Sequence, residues 1–286
     1  MAKMSTVASF GTANTVVWFT SLRQGEQGVT RRILEELLPL LAAHGIRHEI
    51  VEPASTGELL AALDDLAARV RRDGIRPILH FDMHGSAADG LRIVASGENV
   101  PWPVVAQRMR AINEGMGNDL FVVSAACYGL KVAMQARITE PCPYYVLVGP
   151  ERTVTAGLLE DSLPDFYRTL FAMDDFVAAY ESHLVPAFSL FHSERLLLLS
   201  LGKYVRRHCM GKGAARRRED LLSEVVAAGG SANGDVRREI KAVLIPDQAL
   251  VDRFVHVFLM GKQPGFGIAE VMALVRADMA GRNRLR

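Results

Sequence analysis

The sequence predicts an α/β fold, with a mostly parallel central sheet, helices on both faces and a helical C-terminal extension. Three observations predict it. From residue 15 onward, short apolar runs rich in β-branched residues alternate with helical stretches, the pattern of βαβ units. The helical stretches carry capping residues at the expected ends. From about residue 178 the alternation fades into helical patterns alone. Residues 1–177 are therefore expected to form a sheet-bearing domain, and residues 178–286 a mainly helical extension packed on it.

"TVVWFT", residues 15–20, is β-branched and aromatic, as a buried strand requires. "GVTRRILEELLPLLAAHG" follows, with Ile33, Leu34, Leu37, Leu38, Leu40 and Leu41 at helical spacing; Thr30 is the expected N-cap and Gly45 the C-cap. "IRHEIVEP" is a second strand ended by Pro53. "STGELLAALDDLAARVRRDG" opens on a Ser55-x-x-Glu58 capping pattern and stops at Gly74. "RPILHFDMHG" is a third strand. "LRIVASGENVPW" holds two short strand-like runs around Ser96, Gly97 and Glu98, which predicts a hairpin over 91–102. "VVAQRMRAIN" is a helix, and "DLFVVSA" and "YYVLVGP" are the fourth and fifth core strands. "LPDFYRTLFAMDDFVAAYESHL" reads as one helix with Pro164 near its start. Beyond it "SERLLLLSLGKYVRRHC", "REDLLSEVVAAGG" and "IAEVMALVRADMAG" are helical, and "GGSANGD", residues 229–235, is the clearest loop.

Composition narrows the function classes. The chain has 286 residues, 49% apolar and 23% charged, with a net charge of +1 and three cysteines. That is a globular composition with no global pull toward nucleic acid or anionic membrane. An odd, small number of cysteines is a poor disulfide framework and fits a reducing compartment. "MAKMSTVASFGTANT" lacks a signal-peptide apolar run, and the densest apolar stretch, "RLLLLSLG", is far short of a membrane span. A soluble cytoplasmic protein with no membrane span is expected.

The chemistry-bearing residues lie at strand ends. In parallel α/β sheets, ligands gather beyond the carboxyl ends of the strands. The third strand ends "HFDMHG", delivering His84 and then Gly85; the fourth continues "SAACYG", delivering Cys127 and then Gly129. If these strands are neighbours, a base stands beside a cysteine and favours its thiolate. The glycines would admit a substrate backbone closely, and the Gly85 and Cys127 amides are the candidate donors to an oxyanion. Asp82, two residues before His84, points to the same side of the strand and could orient the imidazole.

This arrangement resembles the caspase-like cysteine proteases: caspases, metacaspases, paracaspases and their bacterial relatives. Their local signature for caspases is Gln-Ala-Cys-x-Gly with a histidine some fifty residues upstream. It is met here, except for the glutamine, as Ala125-Ala126-Cys127-Tyr128-Gly129. The similarity runs over roughly residues 15–175 in element order. It implies a caspase-like fold and a cysteine endopeptidase, with Cys127 as nucleophile, His84 as general acid and base, and a protein or peptide as substrate. Metacaspases and paracaspases, which cut after Arg or Lys, carry aspartate two residues before the cysteine; Ala125 leaves that place without an acidic floor. Arg23, in "SLRQGEQG", stands where caspases place an arginine that holds an acidic side chain, and would favour one here; a small apolar or otherwise unusual side chain is equally compatible. The resemblance also implies bacterial stress or antiviral defence, by cutting a dedicated partner such as a gasdermin-like pore former. The alternative reading is a catalytically inactive caspase-like scaffold that binds partners. An unrelated α/β hydrolase would need a Gly-x-Ser-x-Gly elbow, which the sequence lacks.

Other features are read more plainly. His80-x-Asp82-x-His84 has the spacing of a metal-binding strand, but zinc needs further ligands and the strand reads as buried, so no metal is expected. No Walker or dinucleotide spacing occurs, and no organic cofactor is expected. Cys142 and Cys209 are ordinary thiols. The basic stretch 203–219 reads as a solvated helix and loop; docking to an acidic partner or weak nucleic-acid contact are its other readings, and nucleic acid is not an expected partner.

Overall fold

A computed structural model describes residues 13–283 of the chain. Residues 1–12, most of the N-terminal stretch read above for a signal peptide, lie outside the described residues. The first compact unit contains β1 (Thr15–Ser21), α1 (Gln27–Ala43), β2 (Arg47–Val51), α2 (Thr56–Asp73) and β3 (Pro77–Ser86). It continues with β4 (Gly90–Arg92), β5 (Asn99–Val100), α3 (Trp102–Gly115), β6 (Phe121–Ser124) and a 3-10 helix, Gly129–Gln135. It closes with β7 (Val146–Gly149), α4 (Ala156–Met173), α5 (Phe176–His183) and β8 (Ser189–His192).

The fold is mixed α/β. The strand order is β2-β1-β3-β6-β7-β8, with β8 the one antiparallel member of that path. The chain moves from β1 outward to β2 and then returns to place β3 on the other side of β1, so a topological switch point lies between β1 and β3. Alternation of side chains sorts the two faces. Val17, Phe19, Leu79 and Val122 pack against α2 and α3 through residues such as Leu63 and Met109. Val16, Trp18, Ile78 and Val123 pack against α1 and α4 through residues such as Leu37 and Phe166. Each such buried apolar side chain contributes roughly 1.5–3 kcal/mol.

The helix ends explain where the sequence reading held and where it moved. Ser55 Oγ accepts from the Glu58 amide, and Gly74, at φ 67°, ends α2 in the left-handed conformation. Thr30 does not cap α1. The helix begins earlier, with Glu26 at the N-cap position, and Thr30 is buried inside it with its hydroxyl given to Asp82. The single helix expected across Asp174-Asp175 is two: Asp174 takes φ 50°, and Asp175 Oδ1 caps α5 by accepting from the Val177 and Ala178 amides. The hairpin stands where expected, as β4 and β5.

β8 falls past residue 177, so the sheet-bearing unit runs through Ser193 and the second begins at Glu194. The second unit holds α6 (Ser193–Tyr204), a π-helical turn Val205–Cys209, α7 (Gly211–Ala227), α8 (Gly234–Val243), α9 (Gln248–Phe258) and α10 (Ile268–Asn283). Leu222, Ile240 and Leu244 form one of its apolar clusters. The basic stretch is helical on both sides of an extended Met210, and at Gly213 a Cβ would lie 2.0 Å from the Arg207 carbonyl oxygen.

Close packing fixes the turn after β6. Leu130 N donates to the Pro150 carbonyl at 3.1 Å and Tyr128 N to the Arg152 carbonyl at 3.1 Å, tying the turn to the end of β7. A Cβ on Gly129 would lie 2.2 Å from Ser124 Oγ. Gly129→Ala is therefore expected to cost roughly 1–3 kcal/mol of stability, measured by urea unfolding. Adding Ser124→Gly should recover part of that loss, since the nearest atoms struck belong to the Ser124 side chain.

Candidate active site

β3 is longer than its partners, and this puts chemistry at its end. It pairs with β6 as far as Phe81 and with β1 as far as Met83, then bends away to pair with β4, placing His84 opposite Arg92 and Gly85 opposite Leu91. His84 thus emerges at the carboxyl edge of the sheet. β6 stops at Ser124, the Ala125 amide still donates to the Phe81 carbonyl at 2.8 Å, and Cys127 follows on the turn. His84, Cys127, Ala125 and Asp82 line one cleft with the start of α1 and the segment leading into α4. It lies at the switch point between β1 and β3.

Inside the cleft, the imidazole and the thiol each have a partner and are not hydrogen bonded to each other. His84 Nε2 lies 2.8 Å from Glu26 Oε2. Glu26 Oε2 also accepts from the Arg23 amide at 3.0 Å. Burial pushes the Glu26 carboxyl up, but the Arg23 amide, the His84 ring and the nearby charges together hold it below its usual value. Cys127 Sγ accepts from the Val154 amide at 3.4 Å and lies 3.9 Å from the Val154 carbonyl oxygen. The Cys127 amide donates to no partner among the described residues.

The glycines do something other than admit substrate. A Cβ on Gly85 would lie 2.3 Å from the Cys127 carbonyl oxygen and 3.3 Å from Ala126 Cβ. The space that Gly85 leaves is filled by the turn bearing the thiol, and the space that Gly129 leaves is filled by Ser124. Both glycines let the protein close on itself.

The remaining residues separate by environment. Asp82 does not hold the imidazole; Glu26 does, and Asp82 instead accepts a hydrogen bond from the Thr30 hydroxyl. Arg23 is exposed, with 73% of its side-chain surface open, pairs with Glu26 at 3.7 Å and is not part of the cleft wall. His80 is buried, stacked on Trp18 at 3.5 Å and bonded through Nδ1 to the Tyr167 hydroxyl at 2.7 Å. Burial pulls its pKa down to about 3, so it stays neutral in the core. Burial pushes the Cys142 thiol up to about 12, and its Sγ donates to the Tyr144 carbonyl at 3.1 Å, so it is inert. Among the described residues, no helix is long and apolar enough to cross a membrane.

Glu26 carries no sequence signal of its own, although it stands in the same "SLRQGEQG" loop as Arg23. Its position at the start of α1, facing the end of β3, is set by the parallel pairing of β1 and β3 and has no local motif. No family model matches the chain, and no curated protein matches it.

Burial pushes the Asp82 carboxyl above its usual range, with Thr30 opposing that shift. A carboxyl raised on folding costs stability at pH above its folded value, and that cost disappears below its unfolded value. Asp82→Asn is therefore expected to raise the melting temperature at about pH 8, with a gain that shrinks toward about pH 4. Scanning fluorimetry across that range checks it.

Proposed function

We propose that the chain is a cysteine endopeptidase, similar in its site to the caspase-like enzymes. The observation that carries the proposal is that Cys127 and His84, just past the ends of paired parallel strands, line one cleft with a carboxylate on Nε2 of the imidazole.

The roles follow from the contacts. Glu26 accepts a hydrogen bond from His84 Nε2–H, which leaves Nδ1 as the nitrogen that takes the thiol proton. The Val154 amide, aimed at the sulfur, suits a sulfur that carries negative charge during attack. Cys127 Sγ adds to the scissile carbonyl carbon, and the carbonyl π electrons move to oxygen. The Cys127 amide is free to donate to that oxyanion, and the Gly85 amide is the second donor the motif implies. Collapse breaks the C–N bond while His84 Nδ1 gives its proton to the leaving amine. Water, deprotonated by the same nitrogen, then hydrolyses the thioester. A dedicated protein substrate in stress or antiviral defence, such as a gasdermin-like pore former, extends the proposal on the strength of the sequence motif.

A second reading, a catalytically idle scaffold, is favoured by the fact that the imidazole and the thiol each already have another partner. Thiol-directed electrophilic peptides separate the two, since a scaffold gives Cys127 no enhanced reactivity.

Turnover of a diverse peptide library tests the proposal. Cys127→Ala is expected to abolish cleavage with an unchanged melting temperature, and His84→Ala to lower kcat by roughly 10²–10⁴-fold. Glu26→Gln, which keeps a hydrogen-bond acceptor but loses the charge, should give a smaller loss and a shifted pH profile. Cleavage at the wild-type rate by Cys127→Ala would refute the assignment.

A further inference from the structure

The cleft beside Cys127 contains a carboxyl that the proposed chemistry does not use. Asp82 is only 7% exposed and lines the cleft. Its hydrogen-bond partner is the Thr30 hydroxyl, a neutral donor. Among the described residues, no Lys or Arg side chain lies within ion-pair distance of it. A buried carboxylate without a cation is costly, and burial accordingly pushes Asp82 toward its neutral form.

The rest of the cleft narrows what could serve as that cation. Leu22, Val29, Val154 and Leu159 give it apolar walls, suited to the methylene stem of a long side chain. Glu26 adds a second carboxylate to the lining. The one arginine of the neighbouring loop, Arg23, is exposed and bound to Glu26, so among the described residues no Lys or Arg side chain lines the cleft, and the one lining group that can take up a proton and become a cation, His84, is already held by Glu26.

We infer that this cleft receives the side chain on the acyl side of the scissile bond and selects lysine or arginine there, with Asp82 as the specificity-determining carboxylate; the inference rests on the peptidase reading of Cys127. The selected cation enters along the apolar walls and supplies the charge partner that Asp82 lacks. An acidic side chain would meet two carboxylates. This reverses the preference that Arg23 suggested in the sequence.

The test uses the full chain and four peptidyl acyloxymethyl ketones that differ only in the residue next to the reactive group: arginine, citrulline, leucine or aspartate. In each reaction Cys127 Sγ displaces the acyloxy group as a carboxylate and forms a thioether with the methylene carbon, which intact-mass measurement follows with time. Arginine is expected to label roughly 10–100-fold faster than citrulline, which has nearly the same shape without the charge. In Asp82→Asn that ratio should fall toward one. Equal rates for arginine and citrulline, or faster labelling by leucine or aspartate, overturn the inference and leave the peptidase reading standing. An arginine preference that persists in Asp82→Asn overturns the assignment to Asp82. No labelling by any of the four overturns the peptidase reading and the inference with it. If Asp82→Asn does not fold, the arginine-to-citrulline ratio of the unaltered chain still decides.

Discussion

The close approach of Gly85 to the carbonyl oxygen of Cys127 governs the arrangement of the candidate site. With a Cβ at residue 85 only 2.3 Å from that oxygen, the end of β3 and the turn after β6 could not approach as they do. The same economy recurs one layer further along the sheet. Gly149 at the end of β7 would place a Cβ 3.0 Å from the carbonyl carbon of Gly129, which itself sits against Ser124. Three strand ends therefore converge with backbone facing backbone. The thiol is held by that convergence, because the turn that bears it has strand ends on both flanks and the Val154 amide on its sulfur. Close-packed interiors transmit such constraints stiffly.

One strand also creates three electrostatic environments in five residues. His80, Asp82 and His84 share a face of β3, but the strand climbs out of the core as it runs. At His80 the surroundings are apolar and aromatic, and the ring stays uncharged. At Asp82 burial still dominates, softened by one hydroxyl. At His84 the chain has reached the cleft, and a carboxylate waits on the ring. Desolvation decides the first two positions, and the third stands hydrogen bonded to a carboxylate in the cleft, so identical spacing yields three different surroundings.

The parallel sheet and its helices were legible because buried strands and capped helices leave local marks: the apolar run at 15–20, Ser55 with Glu58, and Gly74. The strand ends bearing His84 and Cys127 were legible for the same reason. What was not legible depends on tertiary partners. Thr30 looks like a cap because threonine caps helices, yet its hydroxyl donates to Asp82 on β3, the strand beneath its helix. Glu26 has no neighbouring motif, since its partner lies 58 positions away. β8 is only four residues long and gains its identity from antiparallel pairing with β7. The glycines stand out in the sequence, but whether a ligand or the protein's own atoms fill the space beside them depends on tertiary neighbours.

The pairing of His84 with Arg92 makes the imidazole part of the hairpin as much as part of the central sheet. A ladder transmits displacement along its hydrogen bonds, so whatever tilts β4 tilts the ring with it. A load on the hairpin would thereby act as a lever on the ring. Movement of the hairpin and reorientation of the imidazole become a single mechanical event.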